Sequence, residues 1–272
     1  MFIDDSLTEA ARLVQYGGSI AIIRRTHDAR FGWRIVSSRV PSPPSLRALR
    51  DPPSPPRDAD ELVGRARALD GVSIDELARL SGVRVDGAPV STKGKMGELL
   101  ERVLGATGGS AATWDFPELA IELKTIPVDA RGVPSESTFV CAVSLLDAER
   151  AEWETSWARA KLSRVLWVPV TGDVGSERRV GSARLWSPSA EQEGILQGDF
   201  EEIFGRIAAS GIEDISARVG RWLQLRPKAA HGGVRTRAPG GDEGDVATVP
   251  RGFYLRARFT GAILRDPLAL PA

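Results

Sequence analysis

The apolar residues of this chain change from a helical spacing to a strand spacing between residues 94 and 124. Apolar positions recur every three or four residues up to Leu104, which predicts a helix over about Gly94–Leu104 that ends at Gly105. From Leu119 to Lys124, apolar and polar residues alternate, which is typical of a half-buried strand. A chain that places helices directly before strands is predicted to fold as an α/β protein.

Similar patterns predict most of the remaining elements. Ser73 and Glu76 form a capping-box pattern at the start of a helix. The predicted helices span Leu62–Leu69, Ile74–Leu80, Glu152–Lys161 and Ser189–Ala209; the predicted strands span Phe139–Leu145, Val165–Val170, Val180–Trp186, Trp222–Arg226 and Phe253–Leu255, and a glycine-rich loop spans Gly232–Gly244. We therefore expect a central mixed sheet that is flanked by helices.

Residues 1–57 differ from the rest of the chain in composition. Seven of the 18 prolines lie between Pro41 and Pro56, which predicts an extended, poorly packed linker. The segments Ile20–Ile23 and Trp33–Val36 before it could each form a strand. We interpret residues 1–57 as an N-terminal extension, poorly ordered or translated from a start codon assigned too early, and residues 58–272 as the functional domain.

Composition excludes several classes of protein. One cysteine, Cys141, and two histidines, His27 and His231, rule out a disulfide framework and a Cys/His zinc site. The longest apolar runs are too short to cross a membrane, and Asp4 and Asp5 stand where a secretory signal would carry basic residues, so we expect a cytoplasmic protein.

Charge is balanced overall but unevenly distributed along the sequence. Lys and Arg total 36, as do Asp and Glu, which argues against a protein that is basic all over. Nine basic residues and only three acidic ones nevertheless lie within Arg221–Arg265. The chain can therefore present one basic face to a phosphate backbone.

The segment Thr113–Pro127 contains the pattern most suggestive of chemistry. Glu122 and Lys124 are two apart on the predicted strand and so point to the same side, and Asp115 lies in the turn before it. Two carboxylates beside an ammonium group suit a divalent metal and a phosphodiester, and Glu101 on the preceding helix could add a third carboxylate. A solvated strand face and an exposed helix position remain the alternatives.

Other candidate residues have weaker patterns. Lys161 ends a predicted helix, where it could contact a phosphate or simply complement the helix dipole. Arg226, Lys228 and Tyr254 carry donors suited to base edges and phosphates, although a generic basic surface explains them equally well. Trp153 and Trp157, four residues apart, are interpreted as core packing. Lysine is rare here, with only Lys93, Lys95, Lys124, Lys161 and Lys228, which favours sites that need a compact charge.

Six blocks of sequence occur in order between about Asp58 and Leu264: KGKMGELLERVLGA, DFPELAIELKTIPVDARGVPSESTFVCAVSL, WETSWARAKLSRVLWVPV, RRVGSARLWSP, LQLRPKAA and VPRGFYLRARFT. Together they resemble the MutH family, the strand-discrimination endonucleases of bacterial methyl-directed mismatch repair. The resemblance implies a restriction-endonuclease-like fold of the PD-(D/E)xK type, with two lobes around a DNA cleft. Trp114 stands where the motif's proline would be.

The resemblance also implies an activity. Such an enzyme nicks the unmethylated strand of hemimethylated GATC, 5′ to the G, as a monomer that needs Mg²⁺, with Mn²⁺ as a substitute. Its partners would be double-stranded DNA, MutL as activator and MutS indirectly, with no membrane. By resemblance, Asp115, Glu122 and Glu101 bind metal, Lys124 is the catalytic lysine, Lys161 is a further active-site lysine, and Arg226, Lys228, Tyr254 and Lys93 bind DNA, with Tyr254 sensing adenine methylation.

Two alternative functions remain. Restriction enzymes that cut both strands at GATC share these motifs, usually in a longer chain with a second, degenerate copy, and no second copy is found here. A non-catalytic module that binds GATC or MutL would not need Asp115, Glu122 and Lys124, and all three residues are present.

Overall fold

A computed structural model describes residues 11–16, 19–24, 34–37, 53–82, 94–109, 113–172, 177–229, 231 and 233–271. The chain divides into two units, residues 1–46 and 47–272. In the first unit, β1 (Ala11–Tyr16), β2 (Ser19–Arg24) and β3 (Arg34–Ser37) form an antiparallel sheet in that order, so the two strands predicted around Ile20–Ile23 and Trp33–Val36 are confirmed.

The second unit contains both helices and strands, as expected of an α/β protein. Its helices are α1 (Ala59–Arg67), α2 (Ile74–Leu80), α3 (Lys95–Leu104), α4 (Trp157–Leu162), α5 (Ala190–Ser210) and α6 (Ala257–Arg265). Its strands are β4 (Glu122–Val128), β5 (Thr138–Ala142), β6 (Val165–Thr171), β7 (Arg179–Val180), β8 (Arg184–Trp186), β9 (Leu223–Pro227), β10 (Thr236–Pro239), β11 (Asp245–Thr248) and β12 (Arg251–Leu255). In the part of the chain that the structure describes, no helix combines the length and apolarity needed to cross a membrane.

Local capping explains where several helices begin and end. The Ser73 hydroxyl accepts a hydrogen bond from the Glu76 amide, which confirms the predicted start of α2. Gly105 ends α3 with a φ of 84°, a conformation that favours glycine. At the end of the proline-rich stretch, Pro56 is buried and the Ser54 carbonyl accepts a hydrogen bond from Arg65 of α1.

The predicted mixed sheet is present. Strands β4 and β6 run parallel, and β7 and β8 pair antiparallel with β6. The prediction of one strand over Val180–Trp186 was wrong, because residues 181–183 interrupt the pairing. The strand predicted from Leu119 begins only at Glu122, because Pro117–Leu119 forms a 3₁₀ turn.

A second, antiparallel sheet has the strand order β5-β12-β9, and β10 and β11 form a separate hairpin. This hairpin corrects the prediction of a loop over Gly232–Gly244, since only residues 240–244 connect the two strands. The predicted strand Phe139–Leu145 is also shorter, ending at Ala142. The glycine-rich composition therefore failed to predict a hairpin whose strands are only four residues long.

The central strand β6 separates two hydrophobic cores. Leu166 and Val168 pack into a core with helices α1, α2 and α3, whereas Val165 and Trp167 pack into a second core with α5, α6 and the antiparallel sheet. Because neighbouring residues of a strand point to opposite faces, β6 contributes to both cores. On β4, Ile126 and Val128 face the second core, and Glu122 and Lys124 share their side of the strand.

Candidate active site

A tight loop brings Asp115 alongside β4. The backbones of Phe116 and Ile121 hydrogen-bond to each other in both directions, and Ala120 completes the turn in the left-handed region with a φ of 49°. As a result, the Asp115 Oδ2 accepts a hydrogen bond of 2.7 Å from the Leu123 amide. The fold therefore joins Asp115 to the strand that carries Glu122 and Lys124, as the sequence predicted.

Glycine at position 108 makes this loop possible. A Cβ added to Gly108 would lie 1.8 Å from the Trp114 carbonyl oxygen, a distance that no side chain could accept. The amides of Thr107 and Gly108 both donate to the Asp115 carbonyl, at 3.1 and 3.0 Å. Close approach of two backbone segments thus fixes the main chain of Asp115.

The Glu122 carboxylate lies between two lysines. Its side chain is 5% exposed, and its Oε1 accepts a hydrogen bond of 2.8 Å from the Lys124 Nζ. Its Oε2 accepts one of 2.7 Å from the Lys161 Nζ. A buried carboxylate requires such partners, because removing an unpaired charge from water is costly. Lys161 is therefore part of the site, beyond any role at the end of its helix.

Helix α4 holds the segment before Asp115 through three contacts. The Lys161 Nζ also donates to the Thr113 carbonyl, and the Trp114 Nε1 donates to the Ala160 carbonyl at 2.9 Å. The rings of Trp114 and Trp157 pack edge to face with their centroids 5.9 Å apart. We call Trp114, Trp157 and Lys161 the α4 clamp, since together they connect α4 to the Asp115 loop.

The two tryptophans predicted to be core residues differ in burial. Trp153 is buried, with its ring 5.5 Å from that of Phe200, so its assignment to the core is confirmed. Trp157 is 43% exposed, so its assignment was wrong. The four-residue spacing implied one shared face, but α4 begins only at Trp157, and Trp153 precedes it in an irregular turn.

Two carboxyl groups near Glu122 have strongly raised pKa values. Burial, with a further contribution from the Glu122 charge, raises the pKa of Asp115 to about 6. Burial and the charges of Asp115, Glu122 and Glu98 raise the pKa of Glu101 to about 7. The three predicted metal ligands are therefore electrostatically linked, as is common at functional sites.

These carboxylates do not form a ready-made cage for a metal ion. Across the described ranges, no group of three or more Asp, Glu, His or Cys side chains is arranged to hold one. Glu101 lies on α3, the helix that ends at Leu104. Asp115 and Glu122 remain the first candidates for metal ligands, and Glu101 is a third candidate.

Two of the other predicted residues lie in the antiparallel sheet, Arg226 on β9 and Tyr254 on β12, and Lys228 follows directly after β9. The Arg226 guanidinium carbon lies 5.7 Å from the centre of the Tyr254 ring, and that ring packs edge to face on Phe139 with centroids 5.3 Å apart. The Lys228 Nζ lies 4.7 Å from the centre of the Phe139 ring. We call Phe139, Arg226, Lys228 and Tyr254 the basic aromatic face. Lys93, also predicted to bind DNA, lies outside the described residues.

We call the group formed by Asp115, Glu122, Lys124 and Lys161 the acidic site. Phe139 connects the basic aromatic face to this site, and sequence reasoning missed it. The Lys124 Nζ lies 6.0 Å from the centre of the same ring. Phe139 was assigned to a buried strand, yet it is only half-buried. Glycine inside a strand often marks a close approach by another group, so Gly252 in the RGFYL segment was a possible indication of this contact. A Cβ on Gly252 would lie 2.7 Å from the Phe139 ring.

Comparison with known proteins identifies the family. The family described as "DNA mismatch repair enzyme MutH" matches residues 104–199, a range that includes Asp115, Glu122, Lys124 and Lys161. "DNA mismatch repair protein MutH" of Serratia proteamaculans is 47% identical over 215 residues, covering 78% of this chain and 94% of that protein. The proteins of the same name from Yersinia enterocolitica and Escherichia coli are each 46% identical, over 216 and 214 residues, or 78% of this chain and 95% and 93% of theirs. The chain therefore belongs to the MutH family of DNA mismatch repair enzymes.

Proposed function

We propose that this protein is a Mg²⁺-dependent endonuclease that nicks the unmethylated strand of hemimethylated GATC, 5′ to the G, during methyl-directed mismatch repair. The observation that carries the proposal is the Glu122 carboxylate held between Lys124 and Lys161, at 2.8 and 2.7 Å, with the half-buried carboxyl group of Asp115 acting on it electrostatically. Acidic and basic groups in this arrangement suit phosphodiester hydrolysis.

We assign the fold to the restriction-endonuclease-like class, with two lobes around a DNA cleft, acting as a monomer. Two hydrophobic cores that share β6 support a two-lobed arrangement. The position of Glu122 and Lys124 at the start of β4, with the Asp115 carboxylate bonded to the Leu123 amide beside them, supports the class.

The donors around Glu122 fit Mg²⁺, or Mn²⁺ in its place. Asp115, Glu122 and Glu101 would hold the ion. Burial first, and neighbouring negative charge second, raise the pKa values of Asp115 and Glu101, and a bound cation would stabilise their charged forms. Mg²⁺ commonly takes only one or two protein carboxylates and keeps waters and phosphate oxygens as its other ligands. When bound, it would lower the pKa of a water molecule and offset charge on the phosphate.

Groups of the protein itself would supply the rest of the chemistry. The Lys124 ammonium would orient the attacking water or stabilise the charge that develops on the phosphate. Lys161 holds the Glu122 carboxylate in place from the opposite side, and the Leu123 amide orients the Asp115 carboxylate. Fixed geometry of this kind removes the need for rearrangement during the reaction.

The basic aromatic face would read the DNA. Arg226 and Lys228 are exposed and carry donors for bases and phosphates, and Tyr254 is half-buried beneath Arg226. We assign discrimination of the adenine methyl group to Tyr254. MutL would activate the enzyme directly, and MutS would act through MutL.

A strand-resolved nicking assay tests this function. Purified protein is mixed with Mg²⁺ and a duplex containing one GATC site that is unmethylated, hemimethylated or fully methylated, with and without the cognate MutL. We expect MutL to stimulate a nick in the unmethylated strand of the hemimethylated duplex and the fully methylated duplex to stay intact. Cleavage of both strands without MutL would instead indicate a restriction-type enzyme, and binding without cleavage a non-catalytic module.

A further inference from the structure

A cavity lined by arginines lies beside the first turn of α6. It is open to solvent, has a volume of about 520 Å³, and includes Arg218, Arg256 and Arg258 in its wall. Ser137 and Gln224 add polar groups, and the described residues that line it include no carboxylate. The Asp199 carboxylate acts on Arg256, but the wall still carries three guanidinium groups, and this positive charge favours an anionic ligand.

The three arginines are held differently. The Arg256 Nη2 donates to the carbonyls of Ala217, Val219 and Gly220 at 2.9, 3.2 and 2.8 Å, so Arg256 braces the loop that forms one side of the cavity. Arg218 and Arg258 are exposed, and the Arg258 Nη2 donates to the Arg221 carbonyl at 3.2 Å. Arg256 therefore shapes the cavity, while Arg218 and Arg258 would meet the ligand.

The N-terminus of α6 adds to the positive potential in the cavity. Arg256 occupies the N-cap position, where it makes no side-chain capping bond, and the first turn of the helix contains no acidic residue. The N-terminus of a helix carries a partial positive charge, which acidic or hydroxyl side chains usually offset. Backbone and side chains thus both favour a negative charge in the cavity.

The cavity adjoins the basic aromatic face. Gln224 is buried in its wall, pairs across the sheet with Tyr254, and lies two residues from Arg226 on β9. Its side-chain amide donates to the Ser137 hydroxyl at 2.7 Å, which joins β9 to the segment before β5. A duplex that contacts Arg226 and Tyr254 would continue past this wall, so the anion that reaches the cavity would be a phosphate of its backbone.

We propose that the cavity binds a DNA backbone phosphate next to the bases that the basic aromatic face reads, through Arg218 and Arg258. The inference rests on the proposed DNA-binding function. A phosphate contact positions the duplex and adds affinity, but it carries no sequence information. Its loss should therefore weaken binding to every duplex by a similar factor.

Equilibrium binding at several salt concentrations, without divalent metal so that no strand is cut, tests the proposal. The variants are Arg218→Ala, Arg258→Ala, both together, and Arg258→Lys. Arg206→Ala is the matched control. Arg206 is also exposed, but its guanidinium pairs with Glu202 at 2.7 Å, and these two residues line a neighbouring cavity together with Asp214. Each duplex is tested with and without a GATC site.

We expect each alanine variant to reduce the slope of log affinity against log salt by about 1, and the double variant by about 2, on both duplexes. Arg258→Lys should restore most of the slope, and Arg206→Ala should match the wild type. An unchanged slope in the double variant, a loss confined to the GATC duplex, or an equal loss in Arg206→Ala would overturn the proposal. If the wild type bound no duplex, the proposed function would fail with it, whereas a nicking wild type with an unaltered double variant would refute the cavity alone.

Discussion

The acidic site and the basic aromatic face hold their charged side chains in different ways. At the acidic site, Glu122 and Lys161 are buried and hydrogen-bonded to each other, so the charged groups are held in place by the fold. On the basic aromatic face, Arg226 and Lys228 are exposed and lie over aromatic rings, where they can adjust to a ligand. The difference supports our proposal that the first site performs the chemistry and the second recognises the DNA.

Replacing Glu122 should produce the largest effect. In Glu122→Ala, Lys161 loses its carboxylate partner while remaining buried, which should cost roughly 3–5 kcal/mol of stability. Nicking should fall by roughly 10³-fold or more, because both the proposed metal ligand and the contact with Lys124 are removed. Denaturant unfolding and nicking rates measure the two effects.

Glu118→Ala is the matched control for this change. Glu118 is an exposed carboxylate in the 3₁₀ turn just before β4. It should alter stability by no more than about 0.5 kcal/mol and should leave nicking unchanged. Equal effects from the two variants would contradict the assignment of Glu122 to the chemistry.

Replacing Tyr254 should affect selectivity more than rate. Tyr254→Ala removes the ring that lies between Arg226 and Phe139, and a good base-reading contact contributes about 1–3 kcal/mol of discrimination. We expect the preference for hemimethylated over fully methylated GATC to fall by roughly tenfold or more. Nicking rates on the three methylation states measure this change. Unaltered selectivity would remove Tyr254 from the recognition of methylation.

Loosening the α4 clamp should have a smaller effect on the acidic site. Trp114→Phe keeps an aromatic ring near Trp157 but removes the hydrogen bond to the Ala160 carbonyl, which should cost about 1 kcal/mol of stability. Because this bond holds the loop that carries Asp115, the nicking rate at saturating DNA should fall while affinity for the duplex stays close to wild type. A loss of affinity with a normal rate would place Trp114 among the DNA contacts instead.

The last expected effect concerns the metal-free protein and is a change in stability with pH. The pKa of Glu101 is raised from 4.5 to about 7, so between these values the folded protein binds more protons than the unfolded chain. The free energy of unfolding should therefore fall as pH rises through this interval. Glu101→Gln should flatten the dependence. Glu118→Gln, which removes an exposed carboxylate that is not among the groups acting on Glu101, should leave it unchanged. Equal slopes in all three proteins would contradict the raised pKa.

Local patterns in the sequence predicted some of the charged side chains that lie together around Glu122. A two-residue spacing on a strand was enough to place Glu122 beside Lys124, and the family resemblance added Lys161. The loop over Pro117–Leu119 was not predictable from alternation, because the pairing of Phe116 with Ile121 overrides it. Nothing local to Phe139 revealed that its ring lies near both Lys124 and Lys228, since that depends on how two separate strands pair with β12.

The measurement that tests the central claim most directly is the nicking rate of Lys124→Ala at saturating hemimethylated duplex, with affinity measured on the same preparation. If Lys124 acts on the transition state, nicking should fall by roughly 10³-fold or more while affinity stays close to that of the wild type. Normal nicking, or a loss of binding that accounts for the loss of rate, would contradict the separation of chemistry from recognition.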